Sequence, residues 1–155
     1  MDLLHFEDFP VGEVAEYGAT VVDAEAIKDF ARAFDPQIFH LDETAARETM
    51  TGGLIASGWH VAAMMMRMSC EYFLNRSTCQ GAPGVDEISW IKPVRPSDRL
   101  GVRRTTLGAR LSKSRPGIGL VEFQFDVINQ VDEVVMTQRN SIMFRSRVAL
   151  PGATQ

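Results

Sequence analysis

An aspartate and a histidine five positions apart (40 − 35), Asp35 and His40, are the residues of this chain best suited to acid–base chemistry. Pro36 lies between them and disfavours a helix interior, so we expect both side chains to project from a loop. Further on, Ser57-Gly58 opens a long apolar segment whose first free backbone N–H groups could bind negative charge. An acid, an imidazole and an anion hole together suit the addition or removal of water next to a carbonyl. The water needs a base, and the enolate needs hydrogen-bond donors.

Two helices are predicted around this candidate pair. Residues 12–22 alternate apolar and polar positions, which indicates a first strand. Asp23 then offers an N-cap to an amphipathic helix that ends at Asp35 and whose apolar face is formed by Ile27, Phe30, Ala31 and Phe34. A second short helix is expected to begin at Asp42 and stop at Gly52-Gly53, with one side formed by Ala45, Ala46, Thr49 and Met50.

A third, longer helix is predicted over residues 58–75, which are apolar almost all round. A helix without a polar face must be wrapped by the rest of its domain. Strand-like segments follow at 85–92 and 100–109, and the alternating residues 121–127 should pair with 134–145 through a turn at 130–133. Helices followed by consecutive strands predict an α+β domain: an antiparallel sheet around one buried central helix.

Length and composition narrow the classes of function. The chain has 155 residues, 45% hydrophobic and 23% charged, which fits one soluble globular domain spanning residues 1–155. A net charge of −4 and a pI near 5.4 argue against a nucleic-acid-binding protein. The only cysteines, Cys70 and Cys79, form no CxxC pair and no metal-ligand cluster, so neither a disulfide framework nor a metal site is predicted.

Location is predicted from what the chain lacks. The amino-terminal residues are acidic, without the basic start and apolar core of a signal peptide. The longest apolar run, residues 61–66, ends at Arg67, far short of the roughly 20 residues of a spanning helix. We therefore expect a cytoplasmic protein that does not insert in a membrane.

From the first strand to the final hairpin, and most specifically from Asp35 to Gly58, the chain resembles the MaoC-like acyl dehydratases, the (R)-specific enoyl-CoA hydratases of hotdog fold. In that family an Asp and a His five residues later hold the catalytic water, and a glycine amide at the start of the central helix polarises the thioester carbonyl. The matching positions are Asp35, His40 and Gly58, and the His-to-Gly distance of eighteen (58 − 40) also resembles the family's. The resemblance implies an acyl-CoA thioester substrate, no separate cofactor, and a homodimer or larger homo-oligomer.

The chain also departs from the family pattern. The family commonly has Asn-Pro two and three residues after the Asp, where this chain has Gln37 and Ile38, with its proline at Pro36. Many members have His before the oxyanion glycine, where this chain has Ser57, which we take as a substrate-binding candidate. These departures concern the substrate and fine geometry more than the class of reaction.

Other residues are weaker candidates for substrate binding. Trp59, Phe39 and the methionines at 64–66 could line an acyl tunnel, because methionine adapts to flexible chains, or could simply be core. Lys113 and Arg115, with Arg110 in the same loop, could meet coenzyme A phosphates across a subunit boundary, or could only be solvated. The same two explanations, acyl tunnel or core, apply to His60.

Each site residue also has a purely structural explanation. Asp35 could end a helix, His40 could hydrogen-bond to backbone in a loop, and Gly58 could be an ordinary helix-start glycine. Two other functions stay open besides hydration or dehydration: an acyl-CoA thioesterase, because hotdog folds host both chemistries, and an acyl-thioester-binding module without turnover. The spacing of Asp35 and His40 favours hydration.

Overall fold

The computed structural model describes residues 2–148, and these form one antiparallel sheet with helices gathered on it. The strand order is β1-β3-β4-β5-β2, so β1 and β2 are the two edges. The strands are β1 (Val14–Val21), β2 (Glu87–Trp90), β3 (Arg99–Leu111), β4 (Ile118–Ile128) and β5 (Val134–Arg145). The expected antiparallel α+β arrangement is confirmed.

Four α-helices occupy the first half of the chain. They are α1 (Ala24–Phe34), α2 (Ile38–Leu41), α3 (Glu43–Arg47) and α4 (Gly58–Tyr72). Single 3₁₀ turns lie at Phe6–Asp8 and Leu74–Arg76. The three short helices lead from the β1 edge to the start of α4, so they bring the candidate residues to one end of that helix.

The central hairpin supplies most of the inner face of the sheet. Val121, Phe123, Phe125 and Val127 of β4 are all buried, as their alternation with polar residues predicts. β4 pairs with β5 from Ile118↔Arg145 to Ile128↔Val134, which confirms the predicted hairpin and its turn. The aromatic side chains Phe9, Phe73, Phe123 and Phe144 pack edge to face or tilted against one another beneath this hairpin.

The sheet packs on the central helix α4 as predicted, but the expectation that α4 is buried on all sides was wrong. Its buried residues Val61, Met65, Met68 and Ser69 form one stripe against the sheet. Trp59, Met66 and Tyr72 are exposed on its outer side, at 59%, 43% and 39%. An apolar sequence on both sides of a helix does not indicate which side is covered, since only the surrounding chain decides this.

The stripe of α4 meets β1 at a β-bulge. The Tyr17 hydroxyl and the Ser69 Oγ lie 2.8 Å apart in the buried interface. Gly18 follows with φ +82°, and a Cβ there would lie 2.4 Å from the Met68 sulfur. Glycine therefore allows both the left-handed backbone and the close approach of helix and strand.

The helices before α4 differ in part from prediction. Asp23 caps α1 by accepting from the Ala26 N–H at 3.0 Å, as expected, and Ile27 and Ala31 are buried. Phe34, expected on the apolar face, is 75% exposed, and Met50 is fully exposed because the helix that begins after Asp42 ends at Arg47.

Cys70 and Cys79 are free thiols. Among residues 2–148, no helix is both long enough and apolar enough to cross a membrane.

Candidate active site

Asp35 is the C-cap of α1, and its own N–H closes the last turn by donating to the Ala31 carbonyl at 2.9 Å. Pro36 follows and prevents the helix from continuing. The carboxylate accepts two hydrogen bonds: from the Gln37 amide to Oδ1 and from the Ser57 hydroxyl to Oδ2, both at 2.7 Å. Asp35 is therefore held by partners on both oxygens.

His40 lies in α2 rather than in the loop that the sequence predicts. Four residues are too few for a helical periodicity to show, and α2 is stabilised by its surroundings. The Ile55 N–H donates to the Phe39 carbonyl at 3.1 Å, and the His40 Nδ1 lies 2.7 Å from the Ile55 carbonyl oxygen. Because a carbonyl only accepts, Nδ1 carries the hydrogen in this contact.

The two candidate residues face each other across a short gap. His40 Nε2 lies 3.2 Å from Asp35 Oδ2, and the imidazole is 5% exposed against 18% for the carboxylate. Burial acts to raise the pKa of Asp35, but hydrogen bonds from Ser57 and Gln37 and the charge of His40 outweigh it and lower the pKa below its usual value. The carboxylate is thus kept ionised beside an imidazole nitrogen that can take up or release a proton.

No side chain caps the backbone N–H groups at the start of α4 within the described chain. Ser57 occupies the N-cap position and is fully buried, but its hydroxyl donates to Asp35 and caps no N–H group of α4 in the described chain. The Val61 N–H makes the first intrahelical bond, to the Ser57 carbonyl at 3.1 Å. The N–H groups of the three preceding residues, Gly58 included, stay available to an anion at the positive end of the helix.

A cleft of about 440 Å³ opens over these groups. Asp35, Gln37 and His40 supply polar atoms to it, and so does Lys92, whose ammonium pairs with Glu133 outside. The other lining residues are Ile55, Ala56, Gly58, Trp59, Val61, Trp90, Ile91, Pro93, Val94 and Val135. A reactive polar group at one side of an apolar cleft suits a small molecule with an alkyl part.

The structure brings together only part of the residues predicted from the sequence. Asp35, His40, Gly58 and Trp59 all line the cleft. Ser57 contacts Asp35 and does not line the cleft. Phe39 lies outside it too, with its ring edge-on to His40 at a centroid distance of 4.6 Å.

Lys113 and Arg115 lie far from this cleft. They line a separate pocket of about 370 Å³ at the β3–β4 hairpin, together with Arg110. That hairpin adjoins the Arg145 end of β5, whereas the cleft reaches Val135, ten residues earlier (145 − 135). Ten strand residues span roughly 30 Å, so these cations do not reach the cleft of their own chain.

Gln37 and Trp90 are among the site residues that were not predicted from the sequence. Gln37 was noted only as a departure from the family pattern, although its position two residues after Asp35 places it within reach of the carboxylate. Trp90 lies thirty-two residues after Gly58 (90 − 58), and its indole Nε1 donates to the Gly58 carbonyl at 2.8 Å. No local pattern marks Trp90, because only the pairing of β2 with β5 carries it there.

Comparisons with known proteins agree with this architecture. The MaoC-like dehydratase from Rhodospirillum rubrum is 44% identical, with a TM-score of 0.85 over 94% of this chain and 99% of that one. The R-hydratase PhaJ1 from Pseudomonas aeruginosa has the same fold, with a TM-score of 0.74 at 21% identity over 99% of this chain and 97% of that one. In sequence, the uncharacterized protein YdeM of Bacillus subtilis (strain 168) is 25% identical over 142 residues, 92% of this chain and 99% of YdeM.

The sequence model described as the MaoC like domain matches residues 9–122. That match covers 114 residues (122 − 9 + 1), well over half of the chain, and includes every residue that lines the cleft except Val135. The chain therefore belongs to the MaoC-like domain family, and its five-stranded sheet with the central helix α4 is the hotdog fold of that family's solved structures.

Proposed function

We propose that this protein is a hydratase or dehydratase that adds water to an enoyl-CoA thioester or removes it from a 3-hydroxyacyl-CoA thioester. The observation that carries the proposal is the contact of His40 Nε2 with Asp35 Oδ2 at 3.2 Å, at the side of an apolar cleft that also contains Gly58. Family membership and the hydratase and dehydratase named among the similar structures support the same class of reaction.

In the hydration direction, Asp35 and His40 together hold one water molecule. The water oxygen bonds to the β-carbon, one of its protons passes to the Asp35–His40 pair, and the pair returns a proton to the α-carbon. The ionised carboxylate suits the role of base, and the His40 nitrogen that faces it can hold the proton in transit. General acid–base assistance of this kind contributes on the order of 10²–10⁴-fold to a rate.

The negative charge that develops on the thioester oxygen needs a donor. The Gly58 N–H at the uncapped start of α4 is our candidate, and the partial positive charge of the helix terminus adds to it. One donor of this type is typically worth about 2.7–4 kcal/mol in the transition state. The reaction then requires no metal and no cofactor beyond the coenzyme A of the substrate.

The phosphates of coenzyme A need cations nearby. Among the residues that line the cleft, only Lys92 has a cationic ammonium or guanidinium group. We propose that the loop with Lys113 and Arg115 supplies them from a neighbouring subunit, because in its own chain this loop is at the other end of the sheet. This arrangement requires that the protein form a homodimer or a larger homo-oligomer. Exposed sheet edges at β1 and β2 are compatible with such an assembly.

The test is to mix the purified protein with crotonyl-CoA and follow the loss of the conjugated enoyl absorbance. Asp35→Asn, which keeps the size of the side chain, should lower kcat/KM by orders of magnitude, and so should His40→Ala, while circular dichroism shows both variants folded. Full activity in either variant would contradict the assignment of that residue.

The same assay distinguishes a thioesterase from a binding module without turnover. Release of free thiol without loss of the enoyl group would identify a thioesterase. Binding of crotonyl-CoA by calorimetry, without either reaction over a panel of enoyl-CoAs, would identify a module that binds acyl thioesters without turnover.

A further inference from the structure

Trp90 is held firmly against the start of α4. It is the last residue of the edge strand β2 and pairs with Met136 of β5. Besides the hydrogen bond from its Nε1 to the Gly58 carbonyl, its ring meets the Trp59 ring edge-on at a centroid distance of 5.0 Å and an angle of 79°. A ring with a hydrogen bond and an aromatic neighbour does not rotate freely away.

The indole fills the space over Gly58. A Cβ built on Gly58 would lie 2.4 Å from Cε2 and 2.6 Å from Cδ2 and Nε1 of the Trp90 ring. A thioester whose carbonyl oxygen reaches the Gly58 N–H therefore lies close to the ring. The glycine is required for the fit of Trp90 in addition to any approach of substrate.

Trp90 also begins the apolar wall of the cleft. The chain runs on from it through Ile91, Pro93 and Val94, which also line the cleft. With the reacting carbons at the polar side, the alkyl part of an acyl group extends along this wall. The indole is the largest side chain of this wall, and the adjacent Gly58 has none.

We infer that Trp90 is a specificity-determining residue that limits the size of the acyl group, an inference that rests on the proposed function. Trp59 is less suited to this role, since it is 59% exposed against 43% for Trp90 and donates no side-chain hydrogen bond in the described chain. The cleft accordingly accepts short acyl groups, and longer ones only when the indole is removed.

The experiment compares wild-type protein, Trp90→Ala, Trp90→Phe and Met66→Ala on crotonyl-, hexenoyl- and octenoyl-CoA. Met66 is as exposed as Trp90, at 43%, but lies outside the cleft, so its variant controls for the loss of an exposed apolar side chain. Trp90→Ala should raise the ratio of kcat/KM for octenoyl- over crotonyl-CoA by about 10-fold or more, because a pocket discriminates methylenes by that order. Trp90→Phe should shift the ratio in the same direction by less, and Met66→Ala should leave it as in wild type.

A ratio within twofold of wild type in folded Trp90→Ala, or an equal loss on all three substrates, would overturn the inference. If Trp90→Ala does not fold, an unchanged ratio in Trp90→Phe overturns it instead. Calorimetric Kd values for butyryl- and octanoyl-CoA need no turnover, so the same shift in their ratio supports the role of Trp90 even if crotonyl-CoA is not hydrated. Absence of hydration would then count against the proposed function alone.

Discussion

The imidazole of His40 is oriented by the backbone of Ile55, whose carbonyl oxygen lies 2.7 Å from Nδ1. This contact leaves Nε2 as the atom that faces Asp35. In the neutral ring we expect the hydrogen on Nδ1, because the Ile55 carbonyl has no other donor in the described chain, whereas Asp35 Oδ2 also accepts from Ser57. The orientation of the imidazole thus depends on the backbone just before α4.

Long-range ¹H–¹⁵N NMR spectra of the ring nitrogens test this tautomer. At a pH at which His40 is neutral, we expect the chemical shift of a protonated Nδ1 and an unprotonated Nε2. The His40→Ala variant identifies the signals. A neutral ring with its hydrogen on Nε2 would show that the contact with Ile55 does not form in solution.

Removing the Ser57 hydroxyl should move the acid limb of the pH–rate profile. The hydrogen bond from Ser57 helps to lower the pKa of Asp35, so Ser57→Ala raises that pKa, and kcat/KM is lost at a higher pH on acidification. Ser69→Ala is the matched control, since Ser69 is equally buried and its hydroxyl lies near Tyr17 instead. An acid limb that coincides in all three proteins would exclude Asp35 as the group that titrates there.

Gln37→Glu should have a larger effect of the same sign. It replaces a donor to Asp35 Oδ1 by a second carboxylate of nearly the same shape. Like charges in contact disfavour ionisation of both groups, so the pKa of Asp35 rises further than in Ser57→Ala. The profile of kcat/KM from pH 4 to 9 checks this, with Gln37→Ala separating the lost donor from the added charge.

The contact of Gly58 with Trp90 should appear in a double-mutant cycle. Gly58→Ala alone destabilises, because the new methyl group displaces the indole. In a Trp90→Ala background the same change should be neutral or stabilising by up to about 1 kcal/mol, the helix preference of alanine over glycine. Urea unfolding of the four proteins measures the coupling, for which we expect 0.5–3 kcal/mol by order of magnitude. Additive effects would mean that the ring is not held over Gly58.

His60 should make the protein sensitive to mild acid. Its ring stacks on Phe30 at 4.7 Å, its Nδ1 is buried without a hydrogen-bond partner, and it shares a pocket with the charged Asp23, Arg67 and Glu71. Burial, followed by the charge of His40, lowers the pKa of His60 from its ordinary value of 6.5.

Because the unfolded chain takes up this proton first, stability is full above pH 6.5 and falls as the pH drops from there towards the folded pKa. His60→Phe removes the titrating group and keeps the stack. Its Tm should therefore decline less than that of wild type between pH 7 and 5. An equal decline in both proteins would assign the acid sensitivity to other groups.

Regular elements were predictable because their burial follows a period. The strands β1, β4 and β5 and the helix α1 have alternating or amphipathic patterns, and each formed within a few residues of its predicted bounds. Interior positions without a pattern were not predictable. Arg104 is buried among three phenylalanine rings because Glu13, 91 residues away in sequence, lies 2.7 Å from it.

The candidate site likewise contains residues that could be predicted from the sequence and residues that could not. Asp35, His40 and Gly58 are close in sequence and match a spacing that resembles the family's, so they could be identified together. The short helix α2 and the hydrogen bond from Trp90 depend on segments that only the folded sheet brings near. The exposure of one side of α4 could not be predicted from its sequence, because apolar residues occur on both sides.

The hydrogen bond from Ser57 to Asp35 implies a conflict between protein stability and turnover at the start of α4. A serine at this position ordinarily contributes about 1 kcal/mol by capping its own helix, and here that hydroxyl serves Asp35 instead. Substitutions selected only for heat resistance should therefore favour a side chain that turns back to the helix. Such a protein would be more stable to heat and have a lower turnover rate. At the first turn of α4, thermostabilisation and activity therefore oppose each other.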